Sequence, residues 1–130
     1  MPKARPKVTD LELMILQQIW EAGDSQTVNQ IIETWPEKRR PGYTTILKTL
    51  QKMEAKGIVA HREDGRRYAY FPTVEHESIA ATRLQTIIDR MFGGSKVSFA
   101  RYFIDSSELS VEELEELKRF VARRAKEESK

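Results

Sequence analysis

No cysteine occurs in the 130 residues. That absence excludes disulfides, thiolate metal sites and thiol nucleophiles. Histidine is nearly as scarce. His61 and His76 are the whole supply, they do not stand at ligand spacing from each other, and His76-Glu77 lacks the second histidine of a zinc-binding helix. There is no glycine-rich phosphate loop and no nucleophile motif, so no enzyme, no metal and no cofactor are expected. No apolar run approaches the ~18 residues that a membrane helix needs. The basic start of the chain is not followed by the apolar stretch of a secretion signal. Internal repeats and low-complexity segments are missing too, and a soluble cytoplasmic protein is the simplest expectation. What is present suffices for a core. Hydrophobic residues make up 39% with two tryptophans, which argues against disorder, in a length that fits one or two small domains.

The stretch from Gly42 to Gly57 says most about function. It reads as one amphipathic helix, about residues 43–56. At 3.6 residues per turn, Ile46, Leu47, Leu50 and Met53 share one side. Thr45, Lys48, Thr49, Lys52 and Lys56 form a stripe on the other, with hydroxyls near the start, ammonium groups along its length and no carboxylate. Such a helix suits the major groove of DNA, with short donors toward base edges and lysines toward phosphates. An ordinary solvated face is the plainer reading, and the next residues weigh against it. Gly57 fits the left-handed position that ends a helix. Two runs with β-branched and aromatic residues follow, Ile58 to Arg62 and Arg67 to Pro72, around the hairpin signal Asp64-Gly65. Arg66 and Arg67 stand just past the tip. A basic hairpin directly after a recognition helix is a winged helix-turn-helix pattern, with the wing, about residues 62–67, on the backbone or in the minor groove.

Upstream residues supply the rest of that domain. Thr9-Asp10-Leu11-Glu12 is a capping box, opening a helix with Leu11, Ile15, Leu16, Ile19 and Trp20 as its core stripe and Gly23 at its end. A shorter helix is expected over residues 27–35, stopped by Pro36. Residues 37–41 read as a loop, because Pro41 disfavours helix at Arg40. Trp20 and Trp35 are expected in the core. Charge is distributed to match. Residues 38–71 hold nine Lys/Arg against three acids, a local balance of +6 in a chain of +2, so the remainder carries −4. Basic charge gathered on the groove-reading elements is the electrostatic footprint of DNA binding.

The second half differs. Residues 73–92 read as a long helix with Ile79, Leu84, Ile87, Ile88, Met91 and Phe92 apolar, and Gly93-Gly94 breaks it. Residues 95–104 form a short helix with Val97, Phe99, Ala100, Phe103 and Ile104. Ser110-Val111-Glu112-Glu113 is another capping box, and its helix carries Val111, Leu114, Leu117, Phe120 and Val121. Three such helices in so few residues expose more apolar surface than they bury on one another, which a second copy would cover. The interface expected from these stripes uses Leu84, Ile87, Ile88, Met91, Phe99, Phe103, Leu114, Leu117 and Val121.

The chain from about Val8 to Val121 resembles the penicillinase-repressor family of the BlaI, MecI and CopY type. The matching residues are Thr9 to Glu12 with Ile19-Trp20, Tyr43 to Leu47, Met53 to Gly57, Gly65-Arg66 with Tyr68 to Pro72, Phe92 to Ser95, Glu108 to Ser110, and Glu115 to Leu117. The resemblance implies a homodimeric winged-helix repressor on dyad-symmetric operators in promoters, with Thr44, Thr45, Lys48 and Thr49 at the operator and Arg66 and Arg67 on the wing. The copper-responsive branch carries a C-terminal cysteine cluster that this chain lacks. The β-lactam-responsive branch is inactivated by a regulatory protease at an Asn-Phe bond in the short helix, where this chain has Tyr102-Phe103.

The expected fold is mainly α: a flexible basic arm over 1–7, a winged helix over 8–72 with three helices and a two-stranded wing, a helical dimerisation domain over 73–126, and a charged tail over 127–130. The expected function is homodimeric repression, with Tyr43, Thr44, Thr45, Lys48, Thr49, Lys52, Arg66 and Arg67 on double-stranded inverted-repeat operator DNA. The competing class is a winged-helix module for protein partners, in which the basic face is incidental.

Overall fold

The computed structural model describes residues 7–129, so the basic arm apart from Lys7, and the last lysine of the tail, lie outside the described residues. The elements run α1 (Asp10–Ala22), β1 (Gln26–Thr27), α2 (Val28–Glu33), α3 (Tyr43–Lys56), β2 (Val59–Asp64), β3 (Arg67–Pro72), α4 (His76–Met91), α5 (Lys96–Ser106) and α6 (Val111–Glu128). The chain divides into two units that part between Leu84 and Gln85, inside α4.

In the first unit, local chemistry sets where helices begin. The Thr9 hydroxyl accepts the Glu12 N–H at 3.2 Å, and the Glu12 carboxylate accepts the Thr9 N–H at 2.9 Å. Thr27 and Gln30 repeat this box at the start of α2. α1 ends at Gly23 and α3 at Gly57, both in the left-handed region that glycine adopts without strain. The apolar stripes of α1 (Ile15, Leu16, Ile19), α2 (Val28, Ile31) and α3 (Ile46, Leu50, Met53) meet Ile58, Val59 and Tyr70 in one core. Burying each such side chain is worth about 1.5–3 kcal/mol. Trp35 is buried there, while Trp20 lies partly exposed with its ring edge-on to His76 at 5.2 Å. Val74 and Ile79 join the same core, which carries the first unit past residue 72.

The β2-β3 hairpin is the expected two-stranded wing. β1 adds a third at the edge, giving the antiparallel order β1-β3-β2 with Gln26 opposite Tyr70 and Thr27 opposite Ala69. Two residues are too few to show the alternation by which a strand is read from sequence. The hairpin loop is Gly65-Arg66, one residue later than the Asp64-Gly65 signal, because Asp64 pairs with Arg67 across the last rung. Gly65 has φ 67° and no described non-glycine residue has positive φ, which is the II′ pattern.

In the second unit, Gly93 and Gly94 both take positive φ and separate α4 from α5. α6 starts on the Ser110/Glu113 capping box and runs to Glu128, through residues read as tail. Phe92 packs edge-on to Phe99 at 5.6 Å and also meets Tyr102 at 5.5 Å. No residue of α5 or α6 is fully buried. Among the described residues, no helix is long and apolar enough to cross a membrane.

Candidate nucleic-acid interface

α3 presents three distinct surfaces once its core side is fixed by Ile46, Leu50 and Met53. At about 100° per residue, a position two residues from a core residue points away from the core. Thr44, Lys48 and Gln51 each stand two before a core residue, and with Ala55 they form the outer ridge; all four are exposed. Thr45, Thr49, Lys52 and Lys56 form the ridge on one flank. Tyr43, Leu47 and Glu54 form the other, toward the wing.

The polar stripe read from the sequence therefore mixes two ridges. Lys56 does not belong to a free basic face. Its ammonium bonds the Glu12 carboxylate of α1 at 2.7 Å and the Lys7 carbonyl at 2.9 Å. Thr49 is half-buried and donates its hydroxyl to the Thr45 carbonyl at 2.7 Å, which leaves only its lone pairs for a partner. Thr44, Thr45, Lys48 and Lys52 are exposed. Gln51 and Ala55 complete the outer ridge; the four-three-four spacing from Thr44 is the signal that finds them.

The wing stands beside the other flank. Tyr43, Leu47, Gln51 and Glu54 of α3 face Arg66, Arg67, Tyr68 and Tyr70 across a concavity of about 450 Å³. The structure so brings Tyr43, Arg66 and Arg67 together, while Thr45, Lys48, Thr49 and Lys52 lie outside this hollow. Arg66 occupies the turn and Arg67 the first position of β3, both exposed. Arg62, counted among the basic residues of the wing, instead bonds Asp24 at 3.0 Å and Ser25 at 2.7 Å.

Electrostatics inside the hollow are mixed. His61 Nδ1 lies 2.7 and 2.8 Å from the two Glu54 carboxylate oxygens and, since a carboxylate only accepts, donates its proton there. The His61 ring packs on Tyr68 at 4.4 Å. Burial raises the Tyr70 phenol above its ordinary value, and the Glu54 charge adds to the rise. At the far side of the wing, the Ser25 N–H and then the Arg62 guanidinium hold the Asp24 carboxyl below its usual value.

The second unit offers apolar surface. Met91 is 75% exposed and Val121 63%, and Ile87, Phe103 and Leu114 are exposed as well, as is Leu84 at the end of the first unit. Phe99 and Leu117 are half-buried. Ile88 departs from the set expected at an interface: at 5% exposure it is already covered within the chain. Ile87, Met91, Phe99 and Phe103 line a hollow of about 410 Å³. Phe103, Leu117 and Phe120 line another of about 440 Å³ with Glu113 and Glu116.

Residues 8–123 match the family model described as Penicillinase repressor. The chain belongs to the penicillinase repressor family. The Penicillinase repressor of Bacillus licheniformis is 26% identical over 115 residues, covering 88% of this chain and 89% of that one. The solution structure of the monomeric form of Bacillus licheniformis BlaI in complex with the blaP half-operator is 24% identical with a TM-score of 0.47, covering 57% of this chain and 89% of that one. The crystal structure of MepR, a regulator of the Staphylococcus aureus multidrug efflux pump MepA, is 18% identical with a TM-score of 0.50, covering 93% of this chain and 80% of that one. The likeness to MepR concerns the fold. Family membership makes the chain a DNA-binding transcriptional repressor, and the protein-interaction module is not favoured.

Proposed function

We propose that the chain acts as a cytoplasmic homodimer that represses promoters by binding inverted-repeat operators, one α3 in the major groove of each half-site. The observation that carries this reading is the exposed outer surface of α3, with Thr44, Thr45, Lys48 and Lys52 free of acidic neighbours, beside a wing whose tip is Arg66 and Arg67. Tyr43 fits a contact to the phosphate strand between helix and wing, and Thr49 one made through its lone pairs. Leu84, Ile87, Met91, Phe99, Phe103, Leu114, Leu117 and Val121 supply the apolar face for the second copy. Tyr102-Phe103 on exposed α5 has no asparagine before the phenylalanine, which argues against inactivation by a protease specific for Asn-Phe.

Titration of the full chain onto the DNA upstream of its own gene, at several salt concentrations, tests the proposal. Binding should be specific to a dyad-symmetric sequence and weaken steeply with salt, because lysines and arginines displace counterions from phosphates. Lys48→Ala should weaken it by about 1–3 kcal/mol if a base edge is read. Salt-independent binding, or none, would remove the operator from the account.

A further inference from the structure

We propose that Gln51 reads an adenine in each operator half-site. The proposal rests on the repressor reading above and names a specificity-determining residue for it. Gln51 stands on the outer ridge of α3 between Lys48 and Ala55, two residues from the buried Met53, and is exposed. Among the described residues its amide has no hydrogen-bond partner, whereas three other polar side chains of the helix do: Thr49 bonds the Thr45 carbonyl, Glu54 bonds His61, and Lys56 bonds Glu12.

An exposed glutamine on a helix is ordinary by itself; its surroundings set this one apart. Lys48 lies one turn before it and Lys52 next to it, and it lines the hollow across which Arg66 and Arg67 stand. Cations on both sides suit the two phosphate strands that border a major groove, with the amide over its floor. The chemistry then selects the base. Lysine offers only donors, and a threonine hydroxyl offers one donor without a fixed pair. The amide holds an acceptor and a donor side by side, matching the N6 amino group and N7 of adenine. Ala55, next along the ridge, has no long side chain to hold the helix away.

The full chain can be presented with a pool of duplexes of random sequence and the bound fraction sequenced, for wild type, Gln51→Ala and Gln51→Glu. The wild type should retain adenine at one position of each half-site. Gln51→Ala should lose that preference about five- to a hundredfold and keep the others. Gln51→Glu should move it to cytosine, whose amino group a carboxylate accepts. With wild-type protein, changing that A·T pair should cost the factor that Gln51→Ala costs, and the two losses should not add, a coupling that a misfolded variant would not reproduce. Equal weakening on every sequence would make Gln51 a backbone contact and overturn the proposal, as would unchanged preferences in both variants. A wild-type chain that enriches no sequence would overturn the repressor reading itself, and the adenine assignment with it.

Discussion

Glu12 is nearly inaccessible yet charged, because two donors meet on its carboxylate. Burial works to raise its carboxyl, but the Lys56 ammonium and the Thr9 N–H outweigh burial and hold it below the ordinary value of 4.5. The unfolded chain then binds more protons than the folded one through the carboxylate range. The stabilisation from this group is complete above about 4.5 and is lost as pH falls through that value toward the depressed one. Glu12→Gln should cost about 1–3 kcal/mol near neutral pH, since it leaves the ammonium without its carboxylate. It should also flatten the fall of stability as pH drops below about 4.5. Urea unfolding across pH measures both, and a variant as stable as wild type at neutral pH would make the pair energetically idle. The same residue shows how far a sequence can be read. Its cap was legible, because a capping box is local. Its bond to Lys56 was not, because 44 residues separate the two and only the packing of α1 on α3 joins them.

At the scale of elements, strong local signals placed the helices: Thr9 with Glu12, Ser110 with Glu113, and the left-handed Gly23 and Gly57. The wing was legible as a hairpin but its loop was displaced by one residue. A turn dipeptide alone does not decide between Asp64-Gly65 and Gly65-Arg66, and pairing along both strands does. On α3 the apolar face was clear, while the direction of the polar face needed the neighbours of Lys56 and Thr49 to fix it. The displaced loop leaves Arg66 in the turn itself, clear of the strand ladder. Arg66→Ala should therefore weaken binding to all duplexes alike and lower the slope of log affinity against log salt by about 0.9, one phosphate's worth. Titrations on operator and unrelated DNA at several salt concentrations measure this. Loss of sequence preference at an unchanged slope would instead assign Arg66 to a base.

For the whole molecule, the question is what covers α5 and α6. Neither buries a residue fully, and Met91, Val97, Val111 and Val121 are each at least 63% exposed. Patches of this kind mark association surfaces. Phe103 lines both hollows of the second unit, so Phe103→Asp should convert a dimer to monomers. Sedimentation at micromolar concentration reads the outcome, and a wild-type chain already monomeric there would refute the dimer. Cutting the chain to isolate the first unit must respect its core. A fragment ending at Thr73 would strip out Val74 and Ile79, whereas one ending at Leu84 keeps both. The longer fragment should fold and bind a half-site, but bind the full operator more weakly than the intact chain, having lost the second, linked contact.

β1 pairs with β3 at Ala69 and Tyr70. From Tyr68 outward the wing is a bare two-stranded ribbon, and such ribbons open easily in water. Amide hydrogen exchange should record this as a gradient, slow for Ala69 and Tyr70 at the root and fast for Glu63 and Arg67 near the tip. The arginines thus ride on the compliant end of a stiffly rooted lever, where adjusting to the local width of a DNA groove costs the rest of the fold little.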